Sequence, residues 1–413
     1  MTRSRVALLP LALLAGCSIF TSESPGPPAL LTELPRALTA QENLLIGASN
    51  QFGFDLLREA RRSAPDENHF LSPLSAVMAL GMTLNGANGT TLDSMRLALR
   101  LSTASLDEVN AAFRSLLDLL GDLDHSSKFA IANSIWADAG FPFFADFLNT
   151  GKTSFDAEVR TLDLQAPASL GTINDWVKEK TGGKIPKILD QIDAAEVMFL
   201  INAIYFKGAW RTAFDPAKTH AAPFHNADGS TAQVPTMVLA PEQHGIATAP
   251  DHQVIELLYG NGAFALTIVL PQPGHSVAEL TSGLDAARWN EWTGALHEVE
   301  FGLTLPKFRL EYKRELKPDL SDLGMRIAFD DQRADFSRMA DISQNRLFLT
   351  RVTQKTFVDV NEEGTEAAAA TSVGVGVTSA PATIEVNRPF LFAIRERLSG
   401  TIFFVGQISK LQQ

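Results

Sequence analysis

Apolar residues in the first half of the chain recur three and four positions apart. Between Asn43 and Arg62 they fall at Leu45, Ala48, Phe52, Leu56 and Leu57, one stripe of an amphipathic helix. Ser75–Leu84 is apolar nearly all round and predicts a buried helix. Thr91–Leu99 and Leu106–Leu120 continue the helical half, and Phe129–Ala137 predicts a strand. A short helix over Ile173–Thr181 meets its stop at Gly182-Gly183. From Val197 onward strands dominate. They are expected at Met198–Phe206, His252–Tyr259, Phe264–Leu270, Glu298–Pro306, Leu347–Val360, Pro389–Arg395 and Gly400–Ile408. Helices first and strands later, without strict alternation, predict an α+β domain.

One segment fits this alternation yet resists it. After Glu362-Glu363-Gly364 the chain runs for about a dozen residues almost without charge, and without proline or a bulky side chain. One face is Thr365, Ala367, Ala369, Thr371, Val373, Val375 and Val377; the other is Glu366, Ala368, Ala370, Ser372, Gly374 and Gly376. That is a strand with one buried face and one nearly bare face. Glycine and alanine are poor strand formers, so the segment is suited to an exposed loop that later becomes a strand.

The 413 residues are 45% hydrophobic and 20% charged, enough for an ample core. Length alone suggests two or three domains, but no linker, repeat or charge run divides the chain, and one domain over 41–413 is expected. A net charge of −12 without a basic cluster argues against nucleic-acid binding. The pair Arg61-Arg62 reads as a solvated helix face.

The first residues read as an export signal. Met1–Arg5 carry two arginines, Val6–Leu14 are almost wholly apolar, and Leu14-Ala15-Gly16-Cys17 follows. The apolar run is too short to span a bilayer. Its end resembles the bacterial lipobox, which implies a signal peptide over 1–16 and a lipid on Cys17. Cys17 is the chain's single cysteine, so it has no partner for a disulfide. Ser18 in place of aspartate implies sorting to the outer membrane, facing the periplasm or the cell exterior. Residues 17–40, with Pro25, Gly26, Pro27, Pro28 and Pro35, read as the lipidated start and a flexible tether.

Catalytic signatures are missing. No G-x-S-x-G elbow and no H-E-x-x-H helix occurs, and Cys17 lies in the signal region. His220 and His225 are wrongly spaced for one helical face and read as loop residues. Asp330, Asp331 and Asp335 lack the glycine and terminal glutamate of a calcium loop. Asn88-Gly89-Thr90 reads as a turn. No cofactor or metal is implied, and an enzyme is the weaker class.

The segment from Glu362 to Thr378 resembles the hinge and reactive-site loop of the serpins. Further motifs follow in the order that family requires, across roughly residues 41 to 413. They are His69-Phe70-Leu71-Ser72-Pro73-Leu74-Ser75, Phe199–Trp210, Val234-Pro235-Thr236-Met237, Leu305-Pro306-Lys307-Phe308, Leu323-Gly324-Met325, Asn387–Phe392 and Gly400–Gly406. The resemblance implies an α+β serpin fold: helices on a large central mixed sheet, two smaller sheets and an exposed loop. It implies a monomeric suicide inhibitor of serine proteases whose cut loop inserts into the central sheet.

By resemblance, the hinge is Glu362, Glu363, Gly364, Thr365, Glu366, Ala367, Ala368, Ala369, Ala370 and Thr371. The family's spacing puts the scissile bond at Thr378-Ser379, and a shift by one to Val377-Thr378 stays open. No lysine, arginine or aromatic residue lies between Gly364 and Asn387, which disfavours trypsin-like and chymotrypsin-like pockets. Elastase-like or subtilisin-like serine proteases are the expected targets. Trp210, Lys307 and Glu362 match the upper point where the sheet opens; Ser72, Ser75 and Asn202 match a polar cluster lower down. Where family members often have a histidine there, this chain has Gln354, which does not titrate near neutral pH. The alternatives are a non-inhibitory binding module on the same fold and an inhibitor of cysteine proteases.

Overall fold

The computed structural model of the chain describes residues 28–343, 345–365 and 381–412. Cys17, the expected hinge residues Glu366, Ala367, Ala368, Ala369, Ala370 and Thr371, and the candidate scissile residues Val377, Thr378 and Ser379 lie outside them. Among the described residues there are nine α-helices and fifteen strands.

The helices begin where local chemistry tells them to. Helix α1 (Ala40–Ser63) opens on a capping box of Thr39 and Glu42, which satisfies two orphan N–H groups at once. It therefore starts three residues before the expected Asn43, and its five predicted stripe residues are all buried. Helix α2 (Pro73–Leu84) is capped by Ser72, with proline in its first turn. Helices α3 (Gly89–Ala98), α4 (Leu106–Gly121) and α5 (Ala145–Phe155) follow. Helix α6 (Pro167–Lys180) begins six residues before the expected Ile173, at another first-turn proline. The remaining helices, α7 (Val277–Ser282), α8 (Ala286–Gly294) and α9 (Lys317–Leu320), are short.

The central sheet has six strands in the order β10 (Phe308–Glu315), β11 (Thr353–Asn361), β12 (Gly364–Thr365), β4 (Met198–Ala209), β2 (Lys128–Asp138) and β3 (Glu158–Leu162). Its pairs are antiparallel except β2 with β3. The second sheet runs β1 (His69–Leu71), β15 (Ile402–Ile408), β14 (Phe390–Glu396), β8 (Phe264–Pro271), β7 (His252–Leu258), β6 (Thr231–Thr248), β9 (His297–Pro306) and β13 (Thr383–Glu385), with β5 (His220–His225) also on β6. The two smaller sheets of the expected fold are continuous here through β6, whose register shifts between Leu239 and Glu242.

Alternate residues of β2 and β4 feed two cores. Ile135, Ile204 and Phe206 join the main core, in which α2 touches both β4 and β15. Trp136, Ile201 and Ala203 pack with Ile173, Trp176 and Val177 of α6. The expected strand over Leu347–Val360 forms only from Thr353. Ahead of it, Thr350 and Arg351 bind the Glu196 carboxylate instead of entering a ladder.

Candidate functional site at the mouth of the central sheet

The shortest strand lies at the centre of the site. Gly364 of β12 stands opposite Asn361 of β11 and Ala209 of β4; Thr365 stands opposite Val360 and Gly208. Gly364 and Thr365, both expected in the hinge, thus lie as a wedge between two long strands. Gly364 has φ +144°, and a Cβ there would sit 2.1 Å from Gly208 O and 2.8 Å from the Ala209 Cα. Both contacts are with backbone, so no side chain fits at this position.

Thr365 is 3% exposed. Its hydroxyl lies 2.8 Å from the hydroxyl of Tyr259, a fully buried ring stacked on Trp210 with centroids 4.5 Å apart and planes 11° from parallel. Burial pushes the Tyr259 phenol well above its ordinary value, so it is a neutral hydrogen-bonding group at any physiological pH. The Trp210 indole N–H donates to Asn361 O at 2.8 Å, and its backbone N–H donates to Glu363 O at 3.0 Å. The chain entering the wedge is therefore gripped by one tryptophan from both sides of the turn.

Glu362 closes the same turn. Its carbonyl accepts from the Phe214 N–H at 3.0 Å. Its carboxylate lies 2.7 Å from Lys307 Nζ and accepts the Thr219 hydroxyl at 2.7 Å. Burial alone would raise this carboxyl group, but the bonds from Lys307 and Thr219 outweigh it and hold the group below the usual carboxylate range. Trp210, Lys307 and Glu362, far apart in sequence, meet here.

Ser72, Ser75, Asn202 and Gln354 meet lower down. The Gln354 side chain accepts from the Ser72 N–H at 3.0 Å and donates to Ser72 O at 2.9 Å. One amide thus zips β11 to the start of α2 in the manner of a peptide group. The Ser72 hydroxyl donates to Phe403 O at 2.7 Å and accepts from the Ser75 N–H at 3.3 Å. The Ser75 hydroxyl reaches Asn202 O at 3.5 Å. Asn202 donates to the Asn133 side chain at 2.7 Å, and its own Oδ1 is buried without a partner.

Between these two places, among the described residues, β4 and β11 share no ladder with each other; only β12 joins them. From Val360 down to Gln354 that line is roughly 20 Å long. A cavity of about 140 Å³ bounded by Ser75, Leu80, Ile201, Asn202, Thr353 and Gln354 lies along its lower part. A strand continuing β12 in this direction would ladder with β4 on one side and β11 on the other.

Tyr259, Thr219 and Asn133 were not among the residues expected here. Tyr259 precedes Gly260-Asn261-Gly262 at the end of a predicted strand, and that turn signal is the one clue to its position. Thr219 and Asn133 carry none. The other candidates stay apart. His220 and His225 are exposed on β5. Asp330 and Asp335 accept backbone N–H groups of their own turns. Among the described residues no group of three side chains could hold a metal ion.

Comparison with known proteins places this geometry. The family model "Serpin (serine protease inhibitor)" matches residues 47–411. Serpin B11 of Mus musculus is 34% identical over 383 residues, covering 88% of this chain and 98% of the relative. Leukocyte elastase inhibitor of Sus scrofa is 34% identical over 379 residues, covering 88% and 99%. Among solved structures, the thermophilic serpin tengpin in its native state superimposes with a TM-score of 0.81 at 30% identity, covering 93% of this chain and 97% of that one. The chain belongs to the serpin family.

Proposed function

We propose that this serpin is a suicide inhibitor of serine endopeptidases with small, shallow specificity pockets. The protease hydroxyl attacks the Thr378 carbonyl, the amine of Ser379 leaves, and an acyl-enzyme remains. The freed arm then continues the line that Gly364 and Thr365 have begun, between β4 and β11, and carries the protease with it before water can release it. The wedge of Gly364 and Thr365 carries this reading, because the hinge already occupies the first two places of the strand to be added. A dozen new ladder bonds at about 0.5–1.5 kcal/mol each would supply on the order of 10 kcal/mol, comparable to the whole stability of a typical domain. Similarity to the leukocyte elastase inhibitor of Sus scrofa supports the choice of protease class.

The test is incubation with elastase-like and subtilisin-like proteases. Complexes that survive boiling in detergent are expected, with a released fragment whose mass begins at Ser379. A released fragment beginning at Thr378 would move the bond by one. Cleavage with turnover and no complex would overturn the inhibitory reading in favour of a binding module. Complexes formed instead with cysteine proteases would correct the target class.

The same proposal includes a bacterial lipoprotein with its lipid on Cys17. No helix among the described residues is long and apolar enough to cross a membrane, so a lipid would supply the attachment. Fully extended, the chain from Cys17 to Pro28 spans at most about 40 Å, which would hold the mouth of the sheet near the outer-membrane surface. Mass analysis of the mature N-terminus checks this. An unmodified Cys17, or a Cys17→Ser variant that still partitions into membranes, would refute it.

A further inference from the structure

Residues 28–31 are bonded to the domain at one place, and that place adjoins the mouth of the sheet. The Pro28 carbonyl accepts from Arg211 Nη1 at 2.7 Å, and the same nitrogen donates to Gly260 O at 3.1 Å. The Leu31 N–H donates to Asn261 O at 2.7 Å. The Leu31 carbonyl accepts from Arg397 Nη2 at 2.6 Å, while Arg397 Nε donates to Gly262 O at 2.9 Å. Two guanidinium groups thus clamp this segment onto the turn 260–262. Leu30 covers that turn. Gly262 has φ +80°, and a Cβ there would lie 2.5 Å from Leu30 Cδ1, so only glycine leaves Leu30 its seat.

The turn is in turn fastened to β4. The Gly260 N–H donates to Ala209 O at 2.9 Å, and the Arg211 N–H donates to Leu258 O at 2.8 Å. Trp210 and Tyr259 are bridged directly. Ala209 is the residue that faces Gly364, and Tyr259 the one that binds Thr365. Segment 28–31, the turn and the end of β4 form one bonded block, and its inner face is the wall against which the hinge enters.

We propose that residues 28–31 are a strap that pins the end of β4 and sets how readily the central sheet admits the loop. The proposal rests on the insertion reading above, but the strap has its own readout. To widen the line between β4 and β11, the end of β4 must move relative to β11. Every bond from the strap to the turn holds that end in place. Loosening the strap lowers the cost of local opening there.

The test uses the full chain with Leu30→Ala and, separately, Arg397→Met. Leu30 is 40% exposed, so the first change leaves the core intact. Hydrogen exchange at the amides of 208–211 and 365 is expected to quicken about tenfold in both variants, the factor that one lost contact supplies. Loss of protease-trapping capacity on storage without protease is expected to quicken to a similar degree. Wild-type exchange at those amides in both variants would overturn the strap. If the wild-type chain traps no protease, the inhibitory reading falls, and the exchange result still decides the strap.

Discussion

The two ends of the line between β4 and β11 are closed by opposite chemistry. At the upper end an aromatic stack of Trp210 and Tyr259 and an ion pair of Lys307 with Glu362 surround the wedge. At the lower end neutral amides and hydroxyls do the work, with Gln354 bonded twice to the backbone of Ser72. The upper end depends on shape: Gly364 fits only because it has no side chain, and Thr365 only because it is small and can hydrogen-bond. The lower end depends on satisfied polar groups in a buried place, where each unmade bond is costly. The upper closure is therefore a fitted entrance and the lower one a latch. Mutations should separate the two.

The largest effect is expected at the entrance. Thr365→Arg puts a charge where the side chain is 3% exposed and removes the partner of Tyr259. Burying an unpaired charge costs several kcal/mol, so the hinge should stay outside the sheet. On the insertion reading, detergent-stable complexes disappear and cleaved chain accumulates with free protease. Complex yields equal to wild type would show that the entrance is not the route.

Next comes the latch. Gln354→Leu leaves the Ser72 N–H buried without its partner, at about 1–3 kcal/mol, while the Ser72 carbonyl keeps the N–H of Ala76. A fall in melting temperature is expected, together with faster spontaneous loss of trapping capacity. Gln354→Glu keeps the acceptor for the Ser72 N–H but buries a carboxylate and sets one of its oxygens against Ser72 O, so at pH 7 it should melt no higher than the leucine variant. Equal melting of all three would mean that the latch is ornamental and the entrance alone closes the sheet.

The entrance was more legible in sequence than the latch. The alternation that begins at Thr365 marks that residue for a buried face, where it lies, its continuation being outside the described residues, and Trp210 follows Asn202 at a fixed interval. Both are local patterns. Tyr259 is 106 residues from Thr365 and becomes its partner only because β7 ends beside β4. The bidentate bond of Gln354 spans 282 residues, a distance over which composition and period say nothing. Strand β10 shows the reverse. Phe308, Leu310 and Tyr312 alternate with Arg309, Glu311 and Lys313, yet it is absent from the expected strands, because Pro306-Lys307 reads as the end of one. The expected strand over Leu347–Val360 was too long because an apolar run does not reveal that Arg351 will be drawn aside by Glu196.

A third, smaller effect lies just behind the latch. His69 is 1% exposed. Its Nε2–H donates to Ala64 O at 2.9 Å and its Nδ1 accepts from the Tyr312 hydroxyl at 3.2 Å. Burial lowers its pKa; the bond to Ala64 and the charge of Glu67 oppose this, while Arg314 and Arg61 add to it. The native state therefore resists a proton that the unfolded chain accepts near pH 6.5. The contribution is complete above that value and is lost as pH falls below it toward the lowered native value, by at most about 1.4 kcal/mol per pH unit. Melting temperature should fall between pH 7 and 5, and His69→Gln should flatten part of the slope. Buried His244, lowered in the same way, accounts for a further part. An unchanged slope in the His69 variant would assign the whole effect elsewhere and leave the latch indifferent to acid.

The smallest effect tests what kind of closure the entrance is. Glu362→Gln keeps the hydrogen bond from Thr219 and removes the ion pair with Lys307, whose side chain is 37% exposed. A pair so open to solvent contributes about 1 kcal/mol or less. Because the folded carboxyl group is held below its ordinary range, that contribution is present above the unfolded value and is lost as pH falls through the folded one. The gap in melting temperature between wild type and variant should therefore be modest at pH 7, shrink as acid protonates Glu362, and shrink again in high salt. A gap that survives both acid and salt would mean that the aromatic stack and the fit of Gly364 close the entrance unaided. The ion pair would then bear only on the path of the chain entering β12, and the contrast between a fitted entrance and a polar latch would be sharper still.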